Sequence, residues 1–178
     1  MKTQVQAITR SVRLENGREF NLLDVLIPAL KQTITKEGDI LFRGQSERLF
    51  TSYFACNLGR ETEKLLGSDM GLRIDSPYNK HIDRTKEIKG KVIEVDIAVH
   101  TRGEDTNNCL GMEIETTNHP KSDDLWKLEE MTKQEGEYHY QHGLYLVLGV
   151  KKKAGKVLDE RWYKNGSVNA DKPVSLLI

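Results

Sequence analysis

The sequence predicts an α/β fold: a mixed β-sheet flanked by helices, in the order α-β-β-β-α-β, behind an N-terminal helical arm. Three observations carry that prediction. Residues 91–100 alternate apolar and polar side chains, and a short polar stretch joins them to a second strand-like run over 109–116. Residues 144–150 form a continuous apolar run, the pattern of an interior parallel strand. A helical segment lies between those runs, and a strand–helix–strand unit in one sheet requires a right-handed crossover.

The elements follow in order. Phe20, Leu23, Leu26, Ile27 and Leu30 have helical spacing, with Pro28 inside the run predicting a kink or break. Residues 45–66 read as the first long helix, with Leu49, Phe50, Tyr53, Phe54, Leu58 and Leu65 as its apolar stripe. Ser46 suits its N-cap and Gly67 its stop. A short strand is expected over 71–74, then a loop at Pro77 and Asn79. In the alternating strand, Ile93, Val95, Ile97 and Val99 share one face, and Glu94, Asp96, Ala98 and His100 the other. In the next, Met112 and Ile114 oppose Glu113 and Glu115, and the two strands read as an antiparallel hairpin. Ser122 is the expected N-cap of the crossover helix, with Asp123 and Asp124 favourable at its start. Leu125, Leu128 and Met131 or Thr132 supply the buried face. Residues 157–163 add an edge strand. The reading is one domain: an arm over 1–44, a core over 45–150 and an extension over 151–178.

Bulk properties fit that reading. A chain of 178 residues, 37% apolar and 30% charged, suits one domain with a sizeable core. It has no run of about 18 apolar residues and no apolar core for a signal peptide near Met1, so no membrane association is expected. Cys56 and Cys109 form neither a zinc pattern nor a disulfide framework, which fits a cytoplasmic setting. The 27 basic and 27 acidic residues cancel, against a dedicated high-affinity DNA binder. Two local basic clusters remain, Lys86 with Lys89 and Lys91, and Lys151-Lys152-Lys153. Either can meet phosphate, or be a solvated turn.

The chemistry concentrates in Asp96, Glu113 and Glu115. Their strand positions bring three carboxylates onto neighbouring strands, where mutual repulsion is most simply relieved by a divalent cation. Mg²⁺ or Mn²⁺ is expected. Such an ion lowers the pKa of a bound water and stabilises charge on a phosphoryl group. The plain alternative is that both glutamates line a solvent-facing sheet surface.

Residues 92–150 resemble the PD-(D/E)xK nuclease superfamily, the restriction-endonuclease-like fold, and are most similar to its small phage and mobile-element members. The resemblance rests on Val95-Asp96-Ile97-Ala98-Val99-His100, on Met112-Glu113-Ile114-Glu115-Thr116, on the loop and helix from Asn118 to Leu128, and on the closing strand before Gly149. With the first helix and residues 75–79 it covers about 45–150. It implies phosphodiester hydrolysis in DNA with inversion at phosphorus, Asp96 and Glu113 as metal ligands, and a lysine near the attacking water. A homodimer would suit cleavage of two strands, though no residue pattern specifies one.

Three departures stand out. Glu115 occupies the position of the usual lysine, reversing its charge, and is then a third ligand or the general base. Val95 replaces the usual proline. Pro77 stands where an acid is common. Lys127 on the crossover helix is the first candidate for a displaced lysine and Lys121 the second, against an ordinary surface lysine paired with Asp123 or Glu130. Glu47 matches the helix acid of many members and is a candidate ligand, or simply a favourable charge near a helix start. His100 approaches the cleft or packs at a strand end, and Trp126 packs on the sheet or stacks on a base. None of the five histidines has zinc-site spacing. The alternative function is a nuclease-fold module without turnover, acting in nucleic-acid or protein binding.

Overall fold

Strands buried on both faces need cover on both sides, and that requirement organises this chain. A computed structural model describes residues 10–82, 84–120 and 125–169. A hairpin of Ser11–Arg13 (β1) and Glu19–Asn21 (β2) opens it, followed by helices Leu23–Arg43 (α1) and Glu47–Leu66 (α2). Leu72–Asp75 (β3) comes next. Two small hairpins then pair Lys80–His81 (β4) with Arg84–Thr85 (β5), and Glu87–Ile88 (β6) with Lys91–Val92 (β7). Ile97–Thr101 (β8), Leu110–Thr116 (β9), Leu125–Thr132 (α3), His142–Leu148 (β10), Val157–Lys164 (β11) and Ser167–Val168 (β12) complete the described chain.

The main sheet runs β12-β11-β10-β9-β8-β3. Among the described residues its only parallel neighbours are β9 and β10, with Glu113 opposite Tyr145; the other pairings are antiparallel. One face meets α1 and α2, where Leu26, Leu30, Phe50, Phe54 and Leu58 pack with Ile97, Val99, Met112, Ile114, Leu144 and Leu146. The other meets α3, where Leu128 joins Tyr145, Val147 and Tyr163, and Met131 joins Ala98 and Tyr140. Each fully buried Leu or Phe contributes roughly 1.5–3 kcal/mol. These two layers, rather than the short surface hairpins, therefore hold the sheet. The expected helix–strand order is present as α2, β3, β8, β9, α3 and β10.

The strand expected over 91–100 is not continuous. β7 turns back on β6, and Val95 pairs with Tyr78 through Tyr78 N–H to Val95 O (2.9 Å) and Val95 N–H to Tyr78 O (3.0 Å). Only from Ile97 does the chain join the main sheet. Both faces of β8 are buried there, so the alternation of Ala98 and His100 with Ile97 and Val99 does not mark a solvent face.

The N-terminal arm is also different. Its described part opens with a β-hairpin whose turn carries Gly17 at φ 81, and α1 belongs to the main core. The helix passes through Pro28 and departs from helical geometry at Glu37 instead (φ −121, ψ 15). Pro28 lies near the start, where only its bond to the Asp24 carbonyl is forfeited; Gly38, next to Glu37, is the weaker helix former in an interior position. Ser46 and Gly67 bound α2 as expected, although the Ser46 side chain makes no cap hydrogen bond. The C-terminal stretch is part of the sheet: β11 pairs along β10, and β12 is the edge. Ser122, Asp123 and Asp124 lie outside the described residues. No helix among the described residues is long and apolar enough to cross a membrane.

Candidate functional site

The break before β8 builds the site. With Val95 turned toward Tyr78, the Asp96 backbone N–H still donates to Met112 O (3.1 Å), and its Oδ2 accepts the Ile114 N–H at 2.7 Å. The carboxylate thus stands in for a missing strand neighbour and is pinned beside Glu113 and Glu115. Those two glutamates lie on the α3 face of β9, opposite the face where Met112 and Ile114 enter the main core.

Three other elements converge on the same point. Glu47, in the first turn of α2, reaches the end of β9, where its Oε2 accepts the Thr116 N–H at 2.8 Å. Tyr145 on β10 donates its hydroxyl to Glu115 Oε1 at 2.8 Å. Lys127 on α3 bends its ammonium to Glu113 Oε1 at 2.8 Å and donates to the Glu94 carbonyl at 3.1 Å. Together Glu47, Asp96, Glu113, Glu115, Lys127 and Tyr145 line one cleft of about 360 Å³, whose rim includes Lys91, Val92 and Trp126. Its floor is deep: Glu113 is 6% and Lys127 8% exposed.

The electrostatics reflect this crowding. Burial holds the Glu47 carboxyl above its usual range, and the charges of Asp96 and Glu115 push the same way, against the Thr116 N–H bond that favours the anion. Burial, with the Glu115 carboxylate accepting the hydrogen bond of its hydroxyl, raises the Tyr145 phenol pKa well above its ordinary range.

The donor set is chemically that of a hard divalent cation: carboxylate oxygens with no thiolate or imidazole. The repulsion felt by Glu47 is what such an ion relieves. Yet among the described residues no three His, Cys, Asp or Glu side chains stand gathered as a cage. The set fits in donor type and crowding, and side-chain movement is needed to close it.

Lys127 is therefore not an exposed helix lysine paired with Glu130. That acid instead meets Lys89 (2.7 Å) and Lys133 (2.7 Å). Lys121 and Asp123 lie outside the described residues. His100 is away from the cleft: it is buried, its Nε2 is 2.9 Å from Asp75 Oδ2, and its ring lies 4.2 Å from that of Tyr78. Arg102 also bonds Asp75, and with His100 it holds that carboxyl below its ordinary range.

The lysines expected as one basic patch separate. Lys91 reaches the cleft, Lys89 pairs with Glu130, and Lys86 is buried. The Lys86 ammonium lies 4.7, 4.9 and 5.2 Å from the rings of Tyr78, Tyr138 and Tyr140. Burial lowers its pKa to about 8, opposed by Asp105 and Glu137.

Tyr145 is the site residue that pattern reading missed. It hides in an apolar run, and its partner is fixed by the parallel register opposite Glu113. Comparison with known protein families, with curated proteins and with solved structures found no match in any of the three.

Proposed function

We propose that this cleft is the active site of a nuclease of the PD-(D/E)xK type, which uses Mg²⁺ or Mn²⁺ to hydrolyse phosphodiester bonds in DNA. One observation carries the reading. Acids from α2, from the chain before β8 and from β9 line a single recess with a lysine from α3, although they are scattered from residue 47 to residue 127. A structural ion pair needs two such groups, not five.

In this reading Asp96 and Glu113 hold the cation, with Glu47 as a further ligand at the mouth. The ion supplies Lewis-acid stabilisation of the charge that develops at phosphorus. Glu115, oriented by the Tyr145 hydroxyl, accepts the proton of the attacking water. Lys127 stabilises negative charge on the transferred group and takes over, from another element, the task of the lysine that Glu115 displaces.

A second reading is favoured by the Lys127–Glu113 contact itself. An internal ammonium neutralises part of the acidic set, as expected of a nuclease-fold module that binds without turnover. Cleavage of supercoiled plasmid and of single-stranded DNA with Mn²⁺ or Mg²⁺ separates the two. Metal-dependent cleavage by the wild type, lost in a folded Asp96→Ala variant, is the expected result. Glu115→Ala then reports whether that carboxylate is the base. No cleavage of either substrate by the wild type favours the binding module.

A further inference from the structure

We infer that the cleft takes an unpaired nucleotide, with its base against Trp126 and its phosphate drawn down to the acidic floor. The substrate class is single-stranded or locally unpaired nucleic acid rather than intact duplex. The inference rests on the nuclease reading and adds a substrate class to it.

Depth is the first argument. Any phosphodiester that reacts must reach Glu113 and Lys127, which are almost buried. A recess of about 360 Å³ is at the small end of ligand pockets, which run about 300–1,000 Å³. That size class suits one small molecule or nucleotide. A paired backbone, held rigidly by its complement, stays at the rim.

The lining supplies the second argument. Trp126 is only partly buried, packed at the margin of a core cluster, and it lines the cleft together with Val92, which is 63% exposed. A half-buried indole and an exposed aliphatic side chain on the same cleft lining offer apolar surface to a base, and stacking on an aromatic ring is indifferent to sequence.

Charge is the third. Duplex binders draw affinity from many Lys and Arg contacts along the phosphates. Here the chain is neutral overall, and among the described residues that line the cleft the cations are Lys91 and Lys127. Arg48 faces Glu94 at 3.4 Å and Lys127 faces Glu113, which leaves Lys91 as the exposed lysine on the cleft wall. Among the described residues this lining offers cations enough to hold one strand locally rather than the many contacts a duplex draws on.

Tryptophan fluorescence tests this directly. The chain has two tryptophans, and Trp162 is 2% exposed, so stacking on a base changes mainly the Trp126 signal. The wild-type protein is titrated with a short oligodeoxythymidine and with the matching duplex, in Ca²⁺. Saturable quenching by the single strand is expected, with affinity at least about 10-fold above that for the duplex. Anisotropy with labelled strand should show Trp126→Ala weakening binding by about 5- to 150-fold, the loss of one stacked base. Trp126→Phe keeps a stacking ring and should remain within about 5-fold of wild type, which controls for folding. Equal binding of duplex and single strand, no binding of either, or unchanged binding by Trp126→Ala overturns the inference. Selective single-strand binding without metal-dependent cleavage removes the nuclease reading alone. Cleavage with duplex-preferring binding removes this inference alone.

Discussion

The Lys127 ammonium and Glu113 Oε1 stand 2.8 Å apart, with their side chains only 10% and 9% exposed. A buried charge that loses its partner destabilises a protein far more than a surface ion pair stabilises one. Lys127→Met should therefore lower the unfolding free energy by about 3–5 kcal/mol, measured by urea denaturation. Combining it with Glu113→Leu should recover much of that loss. Additive single effects in this double-mutant cycle would mean that the two side chains are not coupled.

Glu47 predicts a pH-dependent gain. Although Glu47 is exposed as a residue, partial desolvation where its carboxyl enters the cleft, and then its acidic neighbours, hold that carboxyl above the ordinary value of 4.5, and solvent screening keeps the effect small. A raised carboxyl pKa means that the folded state binds the proton more tightly than the unfolded state. Stability then falls as pH rises from that ordinary value through the folded value, and the whole penalty is present at neutral pH. Glu47→Gln, which keeps an acceptor for the Thr116 N–H, should be more stable than wild type at pH 7. The difference should vanish in acid, below the ordinary Glu value. A variant less stable than wild type at pH 7 would show that the Thr116 bond outweighs the desolvation.

Lys86 predicts the opposite end of the scale. Its pKa is lowered to about 8 from 10.5 by burial. Between those values the unfolded chain binds the proton more tightly, so wild-type stability should rise with pH across this window. The gain is on the order of 3 kcal/mol. Lys86→Met should lack that rise. Three tyrosine rings around the ammonium work against it, each worth roughly 0.5–2 kcal/mol. A flat wild-type profile from pH 8 to 10 would show that the aromatic box offsets the desolvation.

Two glycines separate backbone from side-chain crowding. A Cβ on Gly149 would lie 2.4 Å from the Lys153 carbonyl oxygen, whereas one on Gly111 would meet the Met131 methyl at 3.0 Å. The methionine can move and the carbonyl cannot. Gly149→Ala should cost about 1–3 kcal/mol and Gly111→Ala clearly less, by thermal unfolding. Equal costs would mean that the turn after β10 relaxes as easily as a side chain.

The parts of the site that were legible in the sequence are those set by local periodicity. Alternation along β9 places Glu113 and Glu115 on one face, whereas Lys127 entered only as the resemblance's candidate for the displaced lysine, and its burial against Glu113 was not legible in the helical pattern. What escaped depends on distant partners. The break at Asp96 exists because Val95 pairs with Tyr78. Lys86 is buried because Tyr78 and, from a distant segment, Tyr138 and Tyr140 surround it, and Tyr145 matters because of parallel register. The N-terminal hairpin is a different case: Asn16-Gly17 is a strong turn signal, overshadowed by the helical pattern that follows it.

That hairpin also bears on how the chain reaches its final state. The His142 ring bonds the Ser11 carbonyl (2.9 Å) across 131 residues, and Gln141 exchanges two hydrogen bonds with the Arg13 backbone (2.9 and 2.8 Å). Contacts of such separation close late, after the entropy of the intervening loop has been overcome. A nascent chain emerging from the ribosome holds Asp96, Glu113 and Glu115 before the strand that carries Tyr145 has been made. During synthesis the acids therefore precede their tyrosine partner, and the clasp between the β1–β2 hairpin and β10 has to close a loop of more than a hundred residues.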